Sequence, residues 1–407
     1  MTFVPGKTPI KTSGQVTGSE EADAGIEAIL SGWWAHGKYA RRFERGLGQF
    51  LNIKHVRFCN SGSSANLLAM AALKRFLPPG SPIFTVAAAF PTTVAAILHA
   101  GYVPVFVDVD MTLNANPDRM REAIAARPER PYGVFLAHTL GNPWDVDKIT
   151  NDTTGWGWFV EDNCDALGSK WNGRLTGTFG GMSTCSFYPA HHITTGEGGA
   201  VFTNNEVLAK IVESLRDWGR DCWCLPGCDN TCGARFEQQH GDLPFGYDHK
   251  YVYSNVGYNL KATDIQAAIG CAQLPKLHDF IWRRKLNWQR LRQGLTDLAD
   301  HFQFQGVAPE ADPSWFGFAL TITNPKLKRE VLCRFLNQRL IETRVLFAGN
   351  ILRQPGFKDI PHKVIGSLDH TDFVATNTFW IGCYPGLTMP MLDFVIESLH
   401  DYVKENR

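Results

Sequence analysis

Short apolar runs alternate with amphipathic segments along the first half of the chain, and this alternation predicts the fold. Strands are predicted for the continuous apolar runs at 56–58, 82–86, 103–107, 132–137 and 157–160. Helices are predicted for the amphipathic stretches between them, at 67–76, 92–99 and 117–126. Continuous apolar strands separated by helices are typical of a buried, mainly parallel sheet. The pattern therefore predicts an α/β protein with ligand groups at the carboxyl ends of its strands.

The two ends of the chain carry helical patterns of their own. Near the N-terminus, a helix beginning at Ser19 places Ile26, Ile29 and Leu30 at helical spacing, which predicts packing and subunit contacts. The C-terminal part is predicted to contain a long amphipathic helix, a strand and two further helices, at 274–295, 315–322, 330–340 and 389–404. Because 407 residues exceed what one core usually holds, we predict a large domain at 1–265 and a smaller C-terminal α+β domain at 266–407.

The charge balance excludes some classes of partner. Forty basic and forty acidic side chains cancel, so neither nucleic acid nor an anionic membrane is expected as the main partner. No run approaches the roughly 20 apolar residues of a membrane span, and the N-terminus lacks the layout of a secretion signal. A cytoplasmic location is therefore predicted. Disulfides are uncommon there, so the ten cysteines require another explanation.

A strand, a turn of small residues and a helix start follow one another around residue 60. The turn reads Cys-Asn-Ser-Gly-Ser-Ser-Ala-Asn and contains Gly62, Ser63 and Ser64. Free backbone N–H groups and the helix dipole make such a helix start an anion site, and the two hydroxyls add hydrogen-bond donors. Capping of the helix by serine is the simpler alternative.

The segment from Ser186 to Gly199 reads Ser-Phe-Tyr-Pro-Ala-His-His-Ile-Thr-Thr-Gly-Glu-Gly-Gly. It resembles the cofactor-binding segment of the fold-type I pyridoxal-phosphate enzymes, in particular the sugar aminotransferases (DegT/DnrJ/EryC/StrS-like), whose pattern is Ser-Phe-x-x-x-Lys-x-Ile-Thr-Thr-Gly-Glu-Gly-Gly. His191 stands where that family has the lysine that binds the cofactor covalently. A histidine cannot form that bond, but near neutral pH it can transfer protons. We therefore expect His191 to be the catalytic acid/base, and an inactive relative of the family is the alternative.

The resemblance implies a fold-type I architecture and a phosphate site made by several parts of the chain. The residues that would hold or lie near the cofactor phosphate are Gly62, Ser63, Ser64, Ser186 and Tyr188. In the segment Gly-Tyr-Asn, Asn259 corresponds to the asparagine that reaches the phosphate of the neighbouring subunit. A site completed across an interface implies a homodimer.

Three further residues correspond to contacts with the cofactor ring. Phe90 matches the aromatic residue that stacks on the ring, although a lone phenylalanine usually packs in a core. Asp162 matches the aspartate that pairs with the pyridinium nitrogen and keeps it protonated, so that the ring can accept electrons. Asp165 replaces a residue that is often Gln or His in relatives, and its charge would lie near the ring edge.

A loop near 217–255 concentrates cysteines, at Cys222, Cys224, Cys228 and Cys232. Pro226 and Gly227 favour a loop here rather than a helix. Clustered thiols in a reducing compartment usually bind a soft metal or an iron–sulfur cluster, and a disulfide is the disfavoured alternative. Structural zinc sites favour two Cys-x(2–4)-Cys pairs. Only one residue separates Cys222 from Cys224, which is a tight spacing for zinc but does not exclude it.

Together with Cys164, the loop gives the pattern Cys-x57-Cys-x-Cys-x7-Cys. This pattern resembles the cluster motif of the iron–sulfur, pyridoxamine-phosphate-dependent 3-dehydratases of deoxysugar biosynthesis. The resemblance implies a [2Fe–2S] cluster close to the cofactor, with Cys164, Cys222, Cys224 and Cys232 as ligands. Spacing alone does not exclude Cys228 from the ligand set.

The combined resemblance implies an enzyme that deoxygenates C3 of a nucleotide-linked 4-keto-6-deoxyhexose. Pyridoxamine 5′-phosphate (PMP), or pyridoxal 5′-phosphate (PLP), is the expected cofactor. A separate flavin- or iron–sulfur-containing reductase is expected to supply electrons through the cluster. CDP-4-keto-6-deoxy-D-glucose, the precursor of ascarylose in lipopolysaccharide O-antigens, is the favoured substrate, and TDP- or GDP-linked sugars remain open. A cluster-free ketosugar dehydratase or aminotransferase-like enzyme and a non-catalytic zinc-binding protein are the alternatives.

Overall fold

The structure, a computed structural model, describes residues 3–126, 131–151, 157–224 and 228–406. The helices are α1 (Ser19–Leu30), α2 (Lys38–Leu51), α3 (Gly62–Ala72), α4 (Pro91–His99), α5 (Pro117–Ala125), α6 (Val146–Asn151), α7 (Glu206–Arg216), α8 (Asp264–Gln273), α9 (Leu277–Gly294), α10 (Arg329–Gln338), α11 (Asp369–Asn377) and α12 (Met389–Glu405). The strands are β1 (His55–Cys59), β2 (Pro82–Val86), β3 (Val103–Val107), β4 (Tyr132–Ala137), β5 (Gly157–Asp162), β6 (Lys170–Trp171), β7 (Arg174–Leu175), β8 (Met182–Ser186), β9 (Gly199–Thr203), β10 (Phe302–Phe304), β11 (Ala311–Asp312), β12 (Gly317–Ile322), β13 (Arg344–Val345), β14 (Lys363–Val364) and β15 (Thr378–Gly382).

The largest sheet has the strand order β1-β9-β8-β5-β4-β2-β3-β14. Every neighbouring pair in it is parallel except the two pairs made by β9. Apolar residues fill both faces: along β9, Val201 packs with α3 and α7, and Phe202 packs with α2. Burial on both faces explains why these strands read as continuous apolar runs. The predicted α/β class with a large, mainly parallel sheet is confirmed.

A second, four-stranded antiparallel sheet has the order β10-β12-β15-β13 and packs with α9, α10 and α12. The strands β11, β6 and β7 form a small third sheet. Two short strands of the C-terminal part, β11 and β14, pair with strands of the N-terminal part. The division at residue 266 stays a prediction. None of the described helices combines the length and the apolar character needed to cross a membrane.

The apolar residues predicted to pack α1 against the chain lie on its outer side. Ile26, Ile29 and Leu30 are 54%, 46% and 80% exposed, so their predicted packing role is wrong within one chain. The buried side of α1 contains Gly25 and Ala28 and faces α8. Small residues let two helix backbones approach closely, so the buried side of this helix is its less apolar one. The predicted subunit contact of the outer side stays a prediction.

Two neighbouring residues of α10 test the core beneath the second sheet. Leu332 is fully buried, whereas Val331 is 41% exposed. We expect Leu332→Ala to lower the free energy of unfolding by about 2–5 kcal/mol, because it removes buried methyl groups and leaves a cavity. Val331→Ala should change that free energy by less than about 0.5 kcal/mol. Urea titration followed by circular dichroism measures both, and equal effects would contradict the packing described.

Candidate active site

A cavity of about 660 Å³ opens at the carboxyl ends of the central strands. We call it the site cavity. Sequence-predicted residues that line it are Gly62, Ser63, Phe90, Asp162, Cys164, Asp165, Ser186, Tyr188 and His191. The sheet topology explains why these residues lie together, because β5 and β8 are parallel neighbours whose carboxyl ends carry Asp162 and Ser186. Ligands of open α/β sheets bind at this edge.

The N-terminus of α3 forms one wall of the site cavity. Ser61 is the N-cap residue, and its hydroxyl oxygen accepts a hydrogen bond from the backbone N–H of Ser64 at 3.0 Å. The hydroxyl of Ser61 also lies 3.0 Å from the hydroxyl of Ser64. Ser64 is thus engaged in the cap and does not line the cavity, whereas the exposed side chain of Ser63 does. Helix capping and an anion site therefore coexist in this turn.

Close packing at Gly62 shapes this wall of the site cavity. A Cβ atom built on Gly62 would lie 2.5 Å from the Cβ atom of Ser186 and 3.2 Å from the sulfur of Cys164. Only glycine therefore fits between Ser186 of β8 and Cys164, which lies two residues after the end of β5. The close approach leaves backbone N–H groups of the helix start facing the cavity, which suits the phosphate of a PLP or PMP molecule.

Asp162 is 5% exposed and is held in place by hydrogen bonds. Its Oδ2 accepts hydrogen bonds from the amide of Asn66 at 2.9 Å and from the hydroxyl of Thr93 at 2.7 Å. Thr184 donates a hydrogen bond of 2.6 Å to the other side of the Asn66 amide. The sequence analysis missed these three partners. Of the three, only Asn66 could have been predicted from the sequence, because it lies four residues after Gly62 and so shares a helix face with it.

The preceding residue, Glu161, points to the opposite side of the strand, as alternation along a strand requires. It is fully buried and accepts hydrogen bonds from the backbone N–H groups of Gly177, Phe179 and Gly180 at 2.6–2.8 Å. His138 lies 3.1 Å from the same carboxylate. Of the two adjacent acidic residues, Glu161 thus stabilises a turn, and only Asp162 faces the cavity.

His191 and Asp165 face each other inside the site cavity. The Nδ1 atom of His191 lies 3.6 Å from Oδ1 of Asp165, and both side chains are about 85% buried, with 15% and 13% exposed. Burial and the charge of Arg284 lower the pKa of His191 to about 4. Burial and the neighbouring charge of Asp162 raise the pKa of Asp165 to about 8. At neutral pH the imidazole is therefore unprotonated and the carboxyl group is protonated.

Arg284 is the positive charge behind His191, and the sequence analysis missed it. Its guanidinium is 1% exposed and donates hydrogen bonds to the carbonyl oxygens of Trp315 and His191, both at 3.0 Å. Burial lowers the pKa of Arg284 to about 10, so it stays charged at neutral pH. It links α9 to the loop that carries the imidazole. Nothing in an amphipathic helix pattern distinguishes a buried arginine from a solvated one.

The neighbouring His192 points away from the cavity. It is 2% exposed, and its Nε2 atom lies 2.9 Å from the carbonyl oxygen of Ser314. Phe316 instead contacts His191, with 5.1 Å between the two ring centroids. The two adjacent histidines thus have separate surroundings, and only His191 lines the site cavity.

The mouth of the cavity is aromatic and carries one exposed cation. Phe90 is 53% exposed and makes an edge contact with Phe347 at 6.2 Å between ring centroids. Tyr188 is 51% exposed. Exposed Arg344 lines the same mouth. Phe90 thus has a free face at the cavity, which a residue buried in a core would lack.

Asn259 does not reach the site cavity of its own chain. It is exposed, and its backbone pairs with that of Asp217 in an isolated antiparallel bridge. A second bridge joins Arg220 to Tyr253. We call residues 217–221 and 252–259 the bridge ribbon. The phosphate contact predicted for Asn259 stays a prediction that needs a second subunit.

The loop cysteines line a separate cavity of about 330 Å³, which we call the thiol cavity. Its cysteines are Cys222, Cys224, Cys228 and Cys232. The backbone N–H of Cys224 lies 3.5 Å from the sulfur of Cys222. Burial opposes ionisation of Cys224, but hydrogen bonds with Thr231, Cys222 and Cys232 lower its pKa to about 7. Pro226 and Gly227, used in the loop prediction, lie outside the described residues.

Cys164 is not part of the thiol cavity. Its backbone N–H donates to Asp162 at 3.2 Å, and it lines the site cavity. All ten cysteines lie among the described residues, and none of them forms a disulfide. Among described residues, the group with metal-ligand spacing is Asp221, His240 and His249, and it contains no cysteine. The structure of one chain therefore does not bring the four predicted cluster ligands together.

The chain is similar to known proteins over almost its whole length. A family profile described as the DegT/DnrJ/EryC1/StrS aminotransferase family matches residues 15–400. The chain is 49% identical to dTDP-4-dehydro-2,6-dideoxy-D-glucose 3-dehydratase of Saccharopolyspora spinosa, over 100% of this chain and 89% of that protein. It is 47% identical to the lipopolysaccharide biosynthesis protein RfbH of Salmonella typhimurium, over 98% and 93% of the two chains. A solved structure of E. coli GDP-4-keto-6-deoxy-D-mannose-3-dehydratase with bound hydrated PLP matches with a TM-score of 0.86 and 27% identity, over 96% and 99%.

The close approach at Gly62 can be tested by substitution. Gly62→Ala should lower the free energy of unfolding by about 1–3 kcal/mol, because the new methyl group overlaps Ser186. Adding Ser186→Gly removes the overlapping atoms and should restore part of that loss. Gly181→Ala is the control, since its new Cβ atom would meet only ordinary contacts of 3.5 Å or more. Additive effects of the two substitutions in a double-mutant cycle, measured by urea unfolding, would contradict the contact.

The state of Asp165 predicts how stability changes with pH in the cofactor-free protein. Its pKa is raised from 3.8 to about 8 on folding, so its stabilisation is complete below pH 3.8 and lost as pH rises toward 8. Between pH 6.5 and 8, Asp165→Asn should therefore gain up to about 2 kcal/mol relative to the wild type. Asp372→Asn is the control, because hydrogen bonds from Arg353 and Asn350 lower the pKa of that carboxyl. Urea midpoints at both pH values give the difference, and a constant difference for Asp165→Asn would contradict the assignment.

Proposed function

The chain belongs to the DegT/DnrJ/EryC1/StrS aminotransferase family, and from this premise we propose that it is a PMP-dependent 3-dehydratase. Its substrate would be a nucleotide-linked 4-keto-6-deoxyhexose. The observation that carries the proposal is a buried imidazole, His191, in the site cavity at the position where sugar aminotransferases have their lysine. The similarity to the 3-dehydratase of Saccharopolyspora spinosa supports the same reaction class.

The residues of the site cavity fit a PLP or PMP molecule. The α3 N-terminus with Gly62 and Ser63, together with Ser186, would bind the phosphate. Asp162, fixed by its hydrogen bonds, would pair with the ring nitrogen, and Phe90 would cover a ring face. When bound as PMP, the cofactor supplies an amine for the C4 ketone and a ring that accepts electron density from the adjacent carbon.

His191 would transfer protons without a covalent bond to the cofactor. The Nδ1 atom of His191 lies 3.6 Å from Asp165, and a neutral imidazole has one ring nitrogen free to take a proton. The lowered pKa keeps the imidazole unprotonated at neutral pH, so it is ready to act as a base. The proton that the imidazole accepts can then be donated to the departing C3 hydroxyl, and water leaves. The overall balance is the loss of one water molecule from the sugar.

Within this proposal, the finer assignment of the substrate follows the resemblance in the sequence. We propose CDP-4-keto-6-deoxy-D-glucose, with dTDP- and GDP-linked sugars as the competing substrates. Exposed Arg344 at the cavity mouth offers a guanidinium for an anionic group of the sugar nucleotide. Turnover of a panel of CDP-, dTDP- and GDP-linked 4-ketosugars decides among the three nucleotides.

The fate of the dehydrated sugar is a separate part of the proposal. A 3-deoxy product requires two electrons and two protons, which a separate flavin- or iron–sulfur-containing reductase would supply. Because one chain does not bring Cys164 to the loop thiols, no step is assigned to a cluster here. The same separation favours, as a second candidate, a dehydratase that works without a cluster. Iron and acid-labile sulfide assays on anaerobically purified protein distinguish the two.

Substitution of the imidazole tests the proposed reaction. His191→Asn should lower kcat for loss of the C3 hydroxyl by at least about 100-fold, because the proton acceptor is removed. Mass spectrometry of the sugar nucleotide, with PMP and dithionite present, measures the loss. His362→Asn, at an exposed site outside the cavity, is the control. Wild-type rates in the His191 variant would overturn the proposal.

Restoring a lysine provides a spectroscopic companion to this experiment. His191→Lys should form a covalent bond with PLP, which borohydride makes permanent. Peptide mass spectrometry should then find the cofactor mass on residue 191, and the wild type should show none there. An unmodified residue 191 in a variant that still binds PLP would show that this position does not face the cofactor.

A further inference from the structure

Two histidines and an aspartate converge outside the site cavity, and we call them the His–Asp cluster. One ring nitrogen of His240, one ring nitrogen of His249 and one carboxylate oxygen of Asp221 all lie within 4.8 Å of one another. The Nε2 atom of His249 lies 2.7 Å from Oδ2 of Asp221. The ring of His240 stacks on that of His249, with 4.7 Å between the centroids. None of the three lines the site cavity, so the proposed reaction does not use them.

Each imidazole of the cluster has a buried ring nitrogen without a hydrogen-bond partner. His249 is fully buried, and its Nδ1 atom has no partner among the described residues. The Nε2 atom of His240 is likewise buried and unpartnered within the described part of the chain. A buried nitrogen left in this state costs about 1–3 kcal/mol, and native structures rarely contain one without a reason. A metal ion bound to Nε2 of His240 would remove that cost for this ring.

The neighbours of the cluster hold its side chains in place. Ser254 of the bridge ribbon donates a hydrogen bond of 2.5 Å to Oδ1 of Asp221, whereas Oδ2 faces His249. The ring of His249 also makes an edge contact with the ring of Trp223, at 5.1 Å between centroids. Outer groups that orient the ligands in this way are typical of metal sites.

Two cations lie close to His249, and each is paired with a carboxylate of its own. Lys250, the next residue, contacts Asp229 at 2.6 Å. Arg235, whose carbonyl oxygen accepts a hydrogen bond from the backbone of His249, contacts Asp248 at 2.7 Å. These pairs neutralise the nearby positive charges and leave the carboxylate of the cluster available to a bound ion.

The three side chains come from three parts of the chain. Asp221 belongs to the bridge ribbon, and His249 begins a single helical turn at His249–Tyr251. His240 lies in the described stretch 228–248, which contains neither a helix nor a strand. Irregular segments of this length are usually functional when they occur in a compact protein. An ion at the cluster would fasten the middle of this loop to the bridge ribbon.

We propose that the His–Asp cluster binds one zinc ion through Asp221, His240 and His249. Two imidazole nitrogens and a carboxylate oxygen are ligands that zinc prefers. Ligand atoms of a tetrahedral zinc ion lie about 3.3 Å apart, so small side-chain rotations bring the three atoms into range. The side chain of Asp221 is 39% exposed and lines a cavity of about 410 Å³. Solvent therefore reaches the cluster, and a water molecule would be the fourth ligand.

Zinc binding by the full-length, metal-free chain tests the site. Because thiols also bind zinc, the measurement uses a background variant in which all four cysteines of the thiol cavity are replaced by serine. Equilibrium dialysis against zinc chloride should give about one zinc ion per chain, measured by elemental mass spectrometry. Adding His240→Ala should weaken binding at least about tenfold, since it removes a ligand. Asp221→Asn should weaken it as well, because an amide oxygen carries no charge.

His301→Ala is the matched control, because His301 is a half-buried histidine outside the cluster. It should leave zinc binding unchanged. Equal zinc binding with and without His240→Ala would overturn the proposal, and so would a folded background variant that binds no zinc. The contact between Asp221 and His249 would then be a hydrogen bond alone. Either result leaves the His191 experiments unaffected, since the cluster lies outside the site cavity.

Limited proteolysis tests the same site in the chain with all its cysteines, and so does not depend on the folding of the background variant. Zinc should slow tryptic cleavage after Arg235, which lies between Asp221 and His240 in the chain, by about tenfold, because the ion fastens the loop. His240→Ala should lose this protection, and His301→Ala should keep it. Protection that persists in His240→Ala would assign the zinc to the thiols and overturn the proposal.

Discussion

The buried carboxylate of Asp162 is the constraint on which the rest of the site depends. An ionised group at 5% exposure is costly unless hydrogen bonds replace the water that it loses. Here Asn66 of α3 and Thr93 of α4 replace it, and Thr184 of β8 fixes Asn66. The hydrogen bonds that offset the burial of this one charge thus join two helices to two strands. That joining fixes the anion-binding start of α3 against the strand ends.

A second electrostatic effect acts on the other side of the cavity. Arg284 is a buried cation that contacts backbone oxygens. Burial, together with the charge of Arg284, lowers the pKa of His191. Burial and the charge of Asp162 likewise raise the pKa of Asp165. The facing pair is therefore neutral, and a neutral pair costs little to bury. A neutral imidazole is a base at physiological pH, whereas a lysine in its place would bind the cofactor covalently.

The sequence predicted the sheet well because its strands are buried on both faces and read as continuous apolar runs. It also predicted that Asp162 follows the end of an apolar strand. It did not predict β8, which ends at Ser186, because Met-Ser-Thr-Cys-Ser is not an apolar run. The sequence analysis failed where the packing of the folded chain decides which residues are buried. The apolar residues of α1 face outward, because its contact with α8 uses small residues instead. The buried Arg284 had no signal, since its partners are carbonyl oxygens that only the fold brings near.

The cysteine spacing shows what a linear pattern leaves undetermined. A spacing motif states which residues share a site but not whether they belong to the same copy of the chain. In this structure the four sulfurs divide between two cavities, and each cavity is open to the outside. The apolar side chains that could not be buried by the fold of one chain surround one of these cavities. Trp33 and Trp218 line that cavity together with the four loop cysteines, so unburied apolar surface and clustered thiols occur at one place, and covering that surface would remove apolar area from water.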